Sequence, residues 1–161
     1  MKLLFSLLTA TFISLNVNSQ CSETKLREFA RNEYPSDSKM QDYVYNKQLS
    51  ACKYMTDVSD REVKEFSVRE YPSDYSMQKY IYDNQLSAKD YMKTVTDSEV
   101  KGIAYREYPS DYSMQKYTYD KQLSAKNYMK TATNTSAKAQ AKREYPDDYS
   151  MQKYVYDKLV Y

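Results

Sequence analysis

Paired carboxylates beside a repeated proline are the first residues in this sequence that could do chemistry. Glu70 and Asp74 lie on either side of Tyr71-Pro72. Two carboxylates held close together can act as the acid and the base of a glycosidase-like enzyme. The pair occurs in four copies along the chain, whereas catalysis needs one site with its own microenvironment. The repetition therefore favours helix capping and surface ion pairing.

The side chains most often used in catalysis and metal binding are scarce. The 161 residues contain no His and a single Gly, Gly102, against 20 Tyr. His is the usual general base near neutral pH and the commonest metal ligand, and a phosphate-binding loop needs several glycines. The corner loop YPSDYS offers too few oxygens for a calcium ion, and Asp147 and Asp148 form the densest acidic spot, the one place where a test for metal is warranted. We expect no enzymatic activity, no metal and no cofactor.

The charge of the chain is nearly balanced. There are 24 basic and 22 acidic side chains, and the formal net charge is +2. Binding to nucleic acid or to an anionic membrane surface usually needs a large positive charge. We therefore expect neither of these partners.

The N-terminal residues have the layout of a cleavable secretory signal. Lys2 is followed by an apolar run from Leu3 to Leu15 and then by small and polar residues. The run is too short to span a bilayer, and no later apolar run is long enough. The alternative is a buried N-terminal helix. We predict that residues 1–19 are a cleavable signal peptide and that residues 20–161 form one exported, soluble domain, either secreted or periplasmic.

A repeat of 37 residues organises the rest of the chain. The segment from Tyr71 to Lys93 matches the segment from Tyr108 to Lys130 at 20 of 23 positions. A fixed period of this length is typical of an array of supersecondary units. The four prolines mark the period: Pro35, Pro72, Pro109 and Pro146.

Each repeat predicts a short helix, a Tyr-Pro corner and a long helix. The residue before a proline avoids helical geometry, so Tyr71 should mark the corner. After it, Ser73 is the predicted N-cap of the long helix, with Asp74 in the first turn. The equivalent predicted caps are Ser36, Ser110 and Asp147. The predicted core stripe of the long helix consists of Met77, Tyr80, Ile81, Ala88, Tyr91, Met92 and Val95.

These elements predict an all-α fold. A short and a long helix form one hairpin, and four hairpins in tandem suggest a short α-solenoid or an irregular helical array. The predicted units cover residues 22–58, 59–95, 96–132 and 133–161, the last one truncated.

A second face of the long helix carries tyrosine and leucine and is the candidate binding face. Its residues are Tyr75, Tyr82, Leu86, Tyr112, Tyr119 and Leu123. Solenoid helices pack on two sides, so this face can be buried against the neighbouring repeat. Otherwise it forms an exposed ladder of rings that can stack on sugars or grip a peptide. The sequence leaves both interpretations open.

The two cysteines, Cys21 and Cys52, occur in the first unit. The position of Cys52 is occupied by Lys89 and Lys126 in the next two units. An antiparallel hairpin brings the start of its short helix near the end of its long helix. In an exported protein this arrangement predicts a disulfide. The alternatives are free or intermolecular thiols, or acylation of Cys21, which the polar residues before it disfavour.

The sequence therefore predicts an exported, non-catalytic helical-repeat protein. We expect it to bind a protein, a peptide or a glycan on the surface of the array. The alternative function is structural: a self-associating or adhesive component of a cell envelope or extracellular matrix. The expectation of binding rests on architecture and on the tyrosine-rich second face, and the sequence does not identify the ligand.

Overall fold

The structure is a computed structural model that describes residues 21–160. The predicted signal peptide, residues 1–19, lies outside the described residues.

Eight α-helices, alternately short and long, account for most of residues 21–160, and this part of the chain contains no strand. The prediction of an all-α array of helical hairpins is confirmed. The short helices are α1 (Glu23–Glu33), α3 (Arg61–Glu70), α5 (Ser98–Glu107) and α7 (Thr135–Glu144). The long helices are α2 (Ser38–Asp57), α4 (Tyr75–Thr94), α6 (Tyr112–Thr131) and α8 (Tyr149–Val160), of which α8 is the shortest.

An aspartate begins each long helix. The extended backbone of Asp74 lets its carboxylate accept a hydrogen bond from the Met77 amide, 3.0 Å away. This is the standard geometry of an N-cap residue. The predicted caps Ser36, Ser73, Ser110 and Asp147 are therefore wrong by one residue. The observed caps are Asp37, Asp74, Asp111 and Asp148.

The Tyr-Pro corner between the two helices is held by a glutamine. The Tyr71 amide still bonds to the Ser67 carbonyl, and Pro72 then prevents the helix from continuing. The Gln78 side chain donates from Nε2 to the Tyr71 carbonyl oxygen over 2.7 Å. Gln41, Gln115 and Gln152 make the same bond in the other units.

The helices pack in a consecutive array. Each short helix packs on the long helix that follows it, and each long helix packs on the next long helix. Gln48 of α2 contacts Asp74 and Ser76 at the start of α4, while Tyr54 contacts Asp83 further along. Residues further along α2 contact residues further along α4, so the long helices run parallel. Each is shifted along its neighbour by two to three turns.

The hydrophobic core lies between successive units. One cluster joins Met92 of α4, Val100 and Ala104 of α5 and Tyr119 of α6. Equivalent clusters form around Tyr82 and around Tyr156. Each cluster contains residues of one long helix and of both helices of the following unit. Burial of apolar surface therefore stabilises the contact between units and also the contact between the two helices of a hairpin.

The clasp that joins a short helix to its long helix differs between units. In the second unit the Lys89 ammonium bonds to the Asp60 and Glu62 carboxylates, each over 2.9 Å. Lys126 makes the same bonds to Asp97 and Glu99 in the third unit. In the first unit a disulfide between Cys21 and Cys52 takes this place, with a Cα–Cα distance of 5.9 Å.

The disulfide should make a measurable contribution to stability. Closing a loop between cysteines 31 residues apart restricts the unfolded chain. We expect the C21S/C52S variant to lose about 3 to 4 kcal/mol of unfolding free energy in the chain-entropy model. Urea unfolding with and without reductant measures the loss. Reductant should destabilise the wild type and leave the variant unchanged, and two free thiols in the native wild type would contradict the pairing.

Candidate functional site

Two residues of the candidate binding face are buried between units. Tyr82 and Tyr119 are each 3% exposed. The Tyr82 hydroxyl accepts a hydrogen bond from the Asp60 amide, and the Tyr119 hydroxyl accepts one from the Asp97 amide, both over 3.3 Å. These rings pack the core and tie it to the start of the short helix. Neither ring is open to a ligand.

The other four residues of that face are partly buried. Leu86 and Leu123 pack against the core clusters around Tyr82 and Tyr119. The Tyr112 hydroxyl donates to Glu62 of the preceding unit over 2.9 Å. Tyr75 lines grooves beside the short helices α1 and α3. The structure therefore places these residues at contacts between units, which is the packing interpretation of the face.

A different set of tyrosines faces solvent. These rings stand at one position of the repeat, on the four long helices, and we call them the tyrosine ladder. They are Tyr43 (61% exposed), Tyr80 (59%), Tyr117 (59%) and Tyr154 (51%). The prediction that Tyr80 belongs to the core is wrong. Large exposed aromatic rings at equivalent places on neighbouring helices are suited to binding, because a partner can bury all of them together.

The error has a physical cause. The core side of α4 carries Gln78 and Gln85 among its buried residues, exposed by 2% and 3%. A pattern of apolar residues counts glutamine as solvent-facing. The predicted stripe is therefore turned about the helix axis by about 80° toward Tyr80, at 100° per residue. The one signal in the sequence for the ladder is that Tyr occupies its position in all four units.

The stagger of the helices fixes the spacing of the ladder. Gln48 of α2 contacts Ser76 of α4. Ser76 is equivalent to residue 39 of the first unit, so the two helices are displaced by nine residues. That displacement corresponds to about 13 Å along the axis. With about 9 Å between helix axes, consecutive rings of the ladder stand about 16 Å apart. A ligand must be extended to touch more than one ring.

A cluster of Tyr, Asp and Lys links neighbouring long helices. The Tyr91 hydroxyl donates to Asp120 over 2.5 Å, and the Lys116 ammonium bonds the other carboxylate oxygen over 2.7 Å. Lys116 also lies 4.5 Å from the centre of the Tyr91 ring. The hydrogen bond to Asp120, with some burial, raises the pKa of Tyr91 to about 12. Equivalent clusters form around Asp83 and Asp157.

The paired carboxylates beside the corner make different contacts. Asp74 caps α4 and accepts a bond from Gln48, whereas Glu70 pairs with Arg69 at the surface. Within residues 21–160 no three His, Cys, Asp or Glu side chains are grouped so that they could hold a metal ion. Asp148 likewise caps its helix and bonds to Gln122.

The fold and the ladder define a class: a helical-repeat array that carries a repeated, exposed aromatic surface. A comparison with protein-family models, with curated proteins and with solved structures finds no match. None of the helices within residues 21–160 is both long and apolar enough to cross a bilayer.

The two kinds of tyrosine should differ sharply in their effect on stability. Tyr82→Ala leaves a cavity between units and removes the hydroxyl that bonds to the Asp60 amide. We expect it to cost about 3 to 5 kcal/mol of unfolding free energy, whereas Tyr80→Ala should cost less than about 0.5 kcal/mol. Urea unfolding followed by circular dichroism compares the two variants. Equal losses would contradict the assignment of buried and exposed positions.

The clusters of Tyr, Asp and Lys predict a loss of stability at alkaline pH. Hydrogen bonds to Asp83 and Asp120 raise the pKa values of Tyr54 and Tyr91 to about 12. A raised pKa means that the folded state favours the neutral phenol. The contribution of these phenols to the unfolding free energy is therefore complete below about pH 10, the pKa of tyrosine in the unfolded chain. It is lost as the pH rises through about 12, their pKa in the folded protein.

The Tyr91→Phe variant tests this pH dependence. At neutral pH it should lose about 1 kcal/mol, because one hydrogen bond to a carboxylate disappears. Above pH 10 the unfolding free energy of the variant should fall less steeply than that of the wild type, because one phenol with a raised pKa has been removed. Parallel curves of urea midpoint against pH would contradict the prediction. Tyr80→Phe serves as the control.

Proposed function

We propose that this protein is a non-catalytic binding module that works outside the cell and uses the tyrosine ladder as its contact surface. The observation that carries the proposal is the exposure of four equivalent rings, 51% to 61%, on four neighbouring helices. The ladder replaces the buried Tyr82 and Tyr119 as the site. Its ligand is an extended protein, peptide or glycan.

The chemistry of tyrosine supports this role. A phenol ring presents an apolar face and a polar hydroxyl and has few rotatable bonds, so burying it on binding costs little entropy. Each ring occupies a position where it contributes little to the core, yet all four units keep it. The stagger places the rings about 16 Å apart, and a ligand that spans several of them gains affinity through multivalency.

Two features support a location outside the cell. The disulfide between Cys21 and Cys52 suits an oxidising compartment, because cytosolic thiols are normally kept reduced. The sequence of residues 1–19 has the pattern of a secretory signal.

Self-association is the second candidate function, and the last helix favours it. Leu159 stands where the first three units carry Gln48, Gln85 and Gln122, each of which bridges to the next unit. Leu159 and Val160 are 46% and 37% exposed. Apolar side chains at this position could meet a second copy of the chain, which would make the array a building block of a matrix.

Replacing the ladder tests the first proposal. Native extracellular fluid is passed over three immobilised proteins: the wild type, the ladder variant Y43S/Y80S/Y117S/Y154S, and the control variant Y34S/Y71S/Y105S. The control removes tyrosines that are exposed by 36% to 38% and do not belong to the ladder. Bound proteins are identified by mass spectrometry and bound sugars by composition analysis.

The expected result is a species retained by the wild type and by the control and lost from the ladder variant. Loss of aromatic anchors should weaken binding of that species by more than about tenfold. The melting temperature of the ladder variant should hardly change. Equal retention by all three proteins would contradict the ladder as the contact surface.

Light scattering over a concentration series separates the two candidate functions. A binding module should keep the mass of a monomer at all concentrations. A self-associating array should grow in mass as concentration rises, and Leu159→Gln should reverse that growth if the last helix is the contact. A strict monomer would exclude the structural function.

A further inference from the structure

A groove in the C-terminal half of the array is lined by lysines. It lies where α6, α7 and the start of α8 meet and has a volume of about 270 Å³. Lys126 and Lys130 lie one turn apart on α6, and Lys138 and Lys142 lie one turn apart on α7. Met129, Pro146 and Tyr149 add apolar surface to the groove, and one carboxylate, that of Glu99, also lines it and is paired with Lys126.

The same groove in an earlier unit has a different character. The groove beside α2, α3 and the start of α4 has a volume of about 260 Å³. Of the four positions that carry lysine in the C-terminal groove, one carries lysine here. The residues at these positions are Cys52, Thr56, Lys64 and Val68, in place of Lys126, Lys130, Lys138 and Lys142. The unit between them carries Lys89, Lys93, Lys101 and Tyr105 at these positions, and Lys93 is paired with Asp90. The last unit is the one that combines all four lysines with the loss of acidic neighbours.

Three of these lysines lack a carboxylate partner. Lys126 bonds to Asp97 and Glu99, which neutralise it. Lys130, Lys138 and Lys142 form no ion pair within residues 21–160. Lys130 reaches the amide oxygen of Asn127 over 3.4 Å, where its counterpart Lys93 pairs with the Asp90 carboxylate over 2.7 Å. Like charges one turn apart repel each other, so the helices carry a cost that an anion would remove.

Substitutions between units concentrate the positive charge here. Residues 47–70 contain five basic and five acidic side chains, and the equivalent residues 84–107 contain four of each. Residues 121–144 contain six basic side chains and one acidic side chain. Three acids of the preceding unit are replaced: Asp90 by Asn127, Asp97 by Asn134 and Glu99 by Ser136. This one segment therefore carries a net charge of +5 in a chain of +2.

We propose that this lysine groove binds an extended acidic peptide whose carboxylates alternate with apolar side chains. Lysines one turn apart on a helix are separated by about 6 Å, which is close to the repeat of alternate residues in an extended chain, about 7 Å. Carboxylates on one side of such a peptide would meet Lys138 and Lys142. The apolar side chains between them would contact Pro146 and Tyr149.

The lysine groove and the tyrosine ladder are separate surfaces. Tyr117 and Lys126 are nine residues apart on α6, which places them about 180° apart around the helix axis. The two surfaces therefore lie on opposite sides of the helix. The lysine groove is a second binding site beyond the proposed function, and a variant of one surface should leave the other unaffected.

Two triple variants test the groove. K130Q/K138Q/K142Q removes the unpaired lysines. K47Q/K121Q/K158Q removes three exposed lysines at one repeat position outside the groove and makes the same change in net charge. The probe is a short fluorescent peptide in which glutamate alternates with leucine. Its isomer with contiguous glutamates and a sulfated polysaccharide serve as competitors, and binding is followed by fluorescence anisotropy.

The alternating peptide should bind the wild type more tightly than its isomer does. The groove variant should weaken this binding by about tenfold, and the control variant by less than about twofold. Charge reversal in K138E/K142E should transfer preference to a peptide that alternates lysine with leucine, which shows that the variant folds. Equal effects of the two triple variants, or equal binding of the isomer or the polysaccharide, would overturn the proposal.

Discussion

Each long helix after the first is held at its N-terminus by a glutamine from the long helix before it. Gln85 donates from Nε2 to the Asp111 carboxylate over 2.7 Å and accepts from the Ser113 amide over 3.2 Å. Free amides at a helix start need partners, so this side chain fixes where one helix begins relative to its neighbour. The glutamine is buried, and a shift of one turn would leave its polar atoms without bonds.

The stagger that results decides which tyrosines are buried. It brings Tyr119 into the space beside Tyr91, where the rings meet edge to face at 6.4 Å between centroids. It also lets Tyr149 reach back to Glu99 across 50 residues of sequence. Rings at the position of Tyr80 remain more than half exposed to solvent. The same register thus produces both the core and the candidate surface.

The sequence predicts the hairpins well and the faces of the helices poorly. The 37-residue period, the prolines and the helix-forming segments are local signals, and they indicate the element order directly. The exposure of a tyrosine depends on the register between units, which no local pattern contains. Gln78 and Gln85 show the difficulty, because their burial follows from bonds to the backbone and to a cap in another helix. The pairing of Cys21 with Cys52 is predictable from the sequence, because both lie in one antiparallel hairpin whose geometry brings them together.

The clasps between short and long helices differ along the array, and this has a consequence for the order in which the protein opens. The first hairpin is closed by a covalent bond, and the next two by the ion pairs of Lys89 and Lys126. In the last hairpin Asn134 and Ser136 replace the acidic partners. In a linear array each unit contacts only its neighbours, so hairpins can differ in local stability. Because a covalent clasp survives conditions that break ion pairs, such as high salt, we expect the first hairpin to stay closed when the hairpins clasped by Lys89 and Lys126 loosen.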